Sequence, residues 1–175
     1  MVDPRYDFKT INVVKMLVRN SKNEVLIIKE PATNKWMPLH WGLPGGKPLL
    51  KESLLETFER KSVGDIGQNI NLKGIVSIKE LLMDNRTVLM FILLAEASSN
   101  EVAGEGAEYK WVSKKEVANM GVNDFTEFFN KDLLLTYFSE DFVLTPYSII
   151  ETHDFYNLEN DPDYKSWLKS GSPVN

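Results

Sequence analysis

Residues 41–67 read WGLPGGKPLLKESLLETFERKSVGDIG. Three kinds of signal follow one another in this stretch. Trp41 to Gly46 is a short apolar run broken by Pro44 and by the Gly45-Gly46 pair. So much glycine in one place is needed only for an unusual φ or a close backbone approach. Ser53 followed by Glu56 is a capping box, which predicts a helix start. Leu54, Leu55, Phe58 and Ser62 then recur at helical spacing and predict a face turned to a core. Gly64 and Gly67 are read as stopping that helix. The order is strand, glycine turn, capped helix, closing glycine loop.

Hairpins flank this unit. Ile11 to Val18 is apolar and rich in β-branched residues; Asn20 to Asn23 is a turn cluster, and Val25 to Ile28 follows. Glu30 to His40, with Pro31 and Pro38, reads as a loop. Leu72 to Leu82 and Arg86 to Ala95 flank the turn pair Asp84-Asn85 and predict a longer hairpin. Tyr109 to Val112 is a short strand, and Ser113 with Glu116 is a second capping box opening a helix toward Met120. Asp124 to Phe138, with Phe125, Phe128, Phe129 and Leu133 on one face, predicts a third helix. That stripe is read as core or as a dimer face, so a homodimer is left open.

Composition narrows the class. The chain has 175 residues, 43% of them apolar, enough for one packed domain. Its aromatic content of 11% excludes a long disordered chain. Net charge is −5 and there is no basic block, which argues against nucleic acid as a partner. There is no cysteine, hence no disulfide and no thiol nucleophile. The longest apolar run, Val88 to Ala95, is too short for a membrane-spanning helix and reads as a buried strand. Met1 to Thr10 carries four charges and no apolar centre, unlike a signal peptide. The expectation is a cytoplasmic protein without membrane contact. Two regions are expected: a domain over residues 1–138, and an extension over 139–175 packed on the domain or on a partner. Tyr147, Phe155, Tyr156, Tyr164 and Trp167 lie in that extension.

The spacing inside 45–67 carries the chemistry. Gly46 is followed after five residues by Glu52, after seven more by Arg60, and then by Gly67. This resembles the Nudix box, in which Gly, five residues, Glu and seven residues lead to Arg-Glu-apolar-any-Glu-Glu-any-Gly. The Leu43-Pro44 lead-in, the two hairpins and the Glu108…Trp111-Val112-Ser113…Glu116 stretch agree with that family. The resemblance implies an α+β fold, a Nudix-type α/β/α sandwich with a mixed β-sheet. It implies a pyrophosphohydrolase acting on a nucleoside diphosphate linked to another moiety, dependent on Mg²⁺ or Mn²⁺. Such ions neutralise dense phosphate charge and acidify the attacking water.

The resemblance also assigns residues. Arg60, Glu52 and Asp65 are the expected catalytic set. Gly45, Gly46, Lys61 and Trp36 are expected to touch the ligand, a small-molecule nucleotide. Gly46, Asp65 and Glu108 are expected to hold the metal, with Glu105 and Asp84 as other carboxylates for the last place. Yet Lys61 stands where the family has its next Glu, and Gly64-Asp65 where it has Glu-Glu. An ammonium repels a divalent cation. Lys61 therefore either contacts phosphate itself or leaves Asp65 to hold one ion with help from elsewhere. Glu56 and Glu59 fall on the far side of a regular helix and do not replace the lost groups. Glu52 with Arg60 also reads as an ion pair bracing the loop, Asp65 as a helix-end residue, and Lys61 as a solvated charge. The alternative function is a catalytically inactive nucleotide- or protein-binding module. Trp36 and Trp41 read either as stacking a nucleobase or as core or rim packing; His40 and His153 have no spaced partner, though His40, just ahead of the box, is placed to line the pocket.

Overall fold

Strand β1 (Lys9–Arg19) sends its side chains alternately to two apolar layers. Val13 and Leu17 enter one buried cluster, Val14, Met16 and Val18 the other. The computed structural model describes residues 9–104, 108–139, 143–152, 160 and 162–169. β2 (Val25–Lys29) divides in the same way, Val25 and Ile27 against Leu26. A sheet buried on both faces must be covered twice, and this is what makes the fold a sandwich.

The remaining strands are β3 (Trp41–Gly42), β4 (Gly45–Gly46), β5 (Asn71–Met83), β6 (Arg86–Glu96) and β7 (Tyr109–Val112). Their order is β3-β2-β1-β6-β5, with β4 on β1 and β7 on β2. β1 and β6 run parallel in unbroken register from Lys9↔Arg86 to Arg19↔Glu96. The other pairs are antiparallel, so the sheet is mixed. Both predicted hairpins form, and β5–β6 turns at Asp84-Asn85.

Helix α1 (Leu54–Lys61) starts at Ser53 with the capping box complete: each partner bonds the other's backbone N–H. Phe58 and Ser62 are buried as expected, but Leu55 points outward and is 38% exposed. The predicted end of this helix needs correction. Gly64 does not stop it; the chain widens into a π-helical turn over Ser62–Ile66. Gly67 closes that turn in the left-handed conformation, φ 80°. The second capping box opens α2 (Lys114–Asn119) as predicted.

The helix predicted over Asp124 to Phe138 is shorter. A 3₁₀ turn covers Val122–Asp124, Phe125 bridges to Trp41, and α3 spans Asn130–Tyr137. The phenylalanines therefore share no helical face: Phe125 is in the core and Phe128 is 75% exposed. Tertiary pairing with Trp41 overrides local periodicity here. Beyond α3, Ile75 and Thr145 exchange two backbone hydrogen bonds, and Tyr147 and Ile150 pack on the second cluster. A last helix, α4, spans Pro162–Lys169. His153, Phe155 and Tyr156 lie outside the described residues, as does the Trp167 side chain.

Candidate functional site

Gly45 and Gly46 lie against the middle of β1, in register with Lys15 and Val14. Gly45 has φ +143°, and a Cβ there would lie 2.1 Å from the Val14 carbonyl oxygen. Only glycine lets the loop sit so close. The π turn then brings the end of the box back onto this loop. The Gly45 N–H donates to Asp65 Oδ2 at 2.9 Å, and Lys61 Nζ stands 2.6 Å from Asp65 Oδ1. A Cβ on Gly46 would come within 2.9 Å of Lys61 Cε. Gly45, Gly46, Lys61 and Asp65 are thus one contact group.

The fit of this group to a divalent cation can be judged from its donors. Mg²⁺ and Mn²⁺ need several oxygen ligands. Asp65 supplies the one carboxylate, and both of its oxygens are engaged, one by an ammonium. Gly64 offers no side chain. Among the described residues no three acidic or histidine side chains gather to hold a metal. Glu108 pairs instead with Lys29 at 2.9 Å, at the β2–β7 edge. Asp84 lies in the β5–β6 turn, and Glu105 is outside the described residues. Among the described residues the expected metal set of Gly46, Asp65 and Glu108 is therefore not assembled, and the donors they offer do not fit the ion.

Glu52 and Arg60 form a two-pronged pair. Arg60 Nε donates to Glu52 Oε1 at 2.6 Å and Nη2 to Oε2 at 2.7 Å, while Nη2 also reaches the Lys47 carbonyl at 3.0 Å. Glu52 accepts further bonds from the Leu49 N–H and the Thr57 hydroxyl. This geometry ties the start of α1 to the glycine loop. Glu56 is spent on its cap and Glu59 is exposed. The Arg60 guanidinium, helped by Leu49 and Thr57, holds the Glu52 carboxyl down at about 2, against an ordinary value of 4.5. A lowered folded value means that the unfolded chain takes up the proton first as pH falls. The pair's contribution is therefore whole above pH 4.5 and lost as pH drops toward 2. Glu52→Gln is expected to lower Tm at pH 7 by about 2–4 °C, on the order of 1 kcal/mol for a partly exposed pair. Calorimetry should show the gap to wild type narrowing across that acid window; a constant gap would contradict this account.

Next to the glycine loop lies a cavity of about 440 Å³. Val13, Val88 and Met90 of the sheet line it, together with Trp36 and Phe129. Gly46 and Lys47 of the glycine loop line it too. Trp36, expected to touch ligand, is 63% exposed. Trp41 packs on the first core cluster, with Lys110 Nζ 4.8 Å from its ring centre.

Two lining residues escaped the sequence reading, Lys15 and Glu127. Both carried a signal. Lys15 is a charge on the Val13–Leu17 face of an apolar strand, and Glu127 is an acid inside an aromatic stripe.

Comparison with known proteins agrees with this fold. The NUDIX domain family matches residues 9–132. A MutT protein from Methanosarcina mazei Go1 shares 23% identity at TM-score 0.62, over 73% of this chain and 92% of its own. A NUDIX hydrolase from Nitrosomonas europaea shares 15% at TM-score 0.68, over 84% and 99%. A structure from a study of MutT of Aliivibrio salmonicida and Vibrio cholerae shares 25% at TM-score 0.57, over 74% and 100%. Among curated proteins none matches. With a glycine loop, capped helix and closing turn in the family's order, and a family match over most of its length, the chain belongs to the NUDIX domain family.

Proposed function

We propose that this chain is a binding member of its family, one that holds a nucleotide-like ligand without metal-assisted hydrolysis. The ring of the ligand lies in the apolar cavity and its phosphates face the Gly45-Gly46 end. There the Lys61 ammonium, with Lys47 nearby on the loop, supplies positive charge that a divalent ion supplies elsewhere in the family. The observation that carries this reading is the 2.6 Å contact between Lys61 and Asp65. A tethered cation neutralises phosphate but acidifies no water. Arg60 and Glu52, expected as catalytic, act here as the brace of the loop. We assign the ligand site to residues 1–138 and treat 139–175 as an extension of it.

The test is a panel of ADP-ribose, dinucleotides and nucleoside triphosphates with Mg²⁺ or Mn²⁺. Tryptophan fluorescence should report binding, and chromatography should show intact ligand after prolonged incubation. Turnover of any of them would restore the pyrophosphohydrolase reading. An absence of binding to all of them would remove the nucleotide.

A further inference from the structure

Lys15 and Glu127 meet within the cavity wall, where charge is costly. Their side chains are 12% and 15% exposed, yet Nζ and Oε1 stand 3.9 Å apart. Buried opposite charges usually close to hydrogen-bond contact, because little else offsets their lost hydration. Lys15 gives one proton to the Leu43 carbonyl at 3.2 Å. Glu127 Oε2 accepts from the Thr126 hydroxyl, and from Asn130 Nδ2 at 2.7 Å. Among the described residues nothing else bonds either group. Two ammonium protons and one carboxylate oxygen are left over, side by side, both groups lining the cavity.

We propose that this pair reads the edge of the ligand's ring, and that the ring carries a lactam edge, an N–H beside a carbonyl. This rests on the nucleotide reading above and names its base class. Glu127 Oε1 accepts from the ring N–H, and Lys15 donates one of its remaining protons to the carbonyl oxygen. An amino group beside a ring nitrogen, as in adenine or cytosine, offers donor and acceptor in exchanged places. With its phosphates holding the nucleotide in one pose, that amino group faces the Lys15 ammonium and the ring lone pair faces the Glu127 carboxylate, so both buried charges lose their partners. A buried group left unpaired by the wrong ligand is what gives a polar site its selectivity. Hypoxanthine, guanine and uracil fit; adenine and cytosine fit less well.

IMP and AMP differ only at this edge. Calorimetric titration of the full chain should show IMP bound at least about tenfold more tightly, the weight of one good hydrogen bond. Glu127→Gln should bring the ratio below about threefold. Glu127 also ties Thr126 and Asn130, so Lys15→Met, which leaves those bonds alone, is the second variant and should weaken IMP more than AMP. Equal affinity for the two nucleotides, or discrimination that survives both substitutions, would overturn the edge reading and leave nucleotide binding standing. If neither nucleotide binds, both fall.

Discussion

Replacing Lys61 and Gly64 together by glutamate is expected to create a divalent-cation site, raising Mn²⁺ affinity at least about 100-fold in calorimetric titration. The gain is electrostatic. Lys61 Nζ sits 2.6 Å from Asp65 Oδ1, so that oxygen faces a positive charge. The first substitution removes this charge and puts a carboxylate in its place; the second adds another. Relative to the present chain, an ion there gains three units of favourable charge. A divalent ion about 4 Å from one unit charge in water is worth roughly 2 kcal/mol, and water is the most screening case. The sum, about 6 kcal/mol, exceeds the roughly 3 kcal/mol that a 100-fold change needs, leaving room for the lost Lys61–Asp65 pair and the cost of ordering side chains. Space is not an obstacle, since a Cβ at position 64 meets nothing within 4 Å. Lys61→Met separates the contributions: it removes the repulsion without adding a ligand, and should raise affinity far less. A double variant that folds and gains no affinity would show that Lys61 and Asp65 do not face the cation position.

What could be read beforehand divides by the range of the interaction. Both capping boxes formed with the atoms their spacing named, because Ser53 with Glu56 and Ser113 with Glu116 act within one turn. The β5–β6 hairpin closed at Asp84-Asn85 for the same reason. The glycine loop was legible because Gly45 leaves no alternative residue. The parallel pairing of β1 with β6 was not, since it joins strands 77 positions apart at every step of the register. The π turn has no local signature, since the residues from Ser62 to Ile66 fit a regular helix equally well. The wider turn is accompanied by tertiary contacts, with Asp65 accepting from the Gly45 N–H and Lys61 against Gly46. Phe125 was misplaced for a like reason, its bridge to Trp41 having no local signature. Lys15 and Glu127 are a different case. Each was visible as a charge among apolar neighbours, but only the fold makes them partners across 112 positions.

The same substitution at two glycines of one loop-and-helix unit is expected to have opposite effects. Gly45→Ala should destabilise by about 3 kcal/mol or more, a fall in Tm of about 6–12 °C for a chain of this size. At φ +143° the backbone is strained for any residue with a Cβ, and the new atom would lie 2.1 Å from the Val14 carbonyl oxygen and 2.9 Å from Lys15 Cα. Neither neighbour is a flexible side-chain end; both belong to the central strand, so relief means moving β4 off β1. That movement would also draw the Gly45 N–H away from Asp65 and loosen the contact with Lys61. Gly64→Ala should instead be neutral or stabilising, by about 0.4–1 kcal/mol. Its φ lies outside the left-handed range, its Cβ would meet nothing within 4 Å, and alanine restricts the unfolded chain. Thermal denaturation of the two variants side by side checks the pair. Equal Tm values would mean that the glycine loop does not press on β1 as described, and the contact group built on it would lose its support.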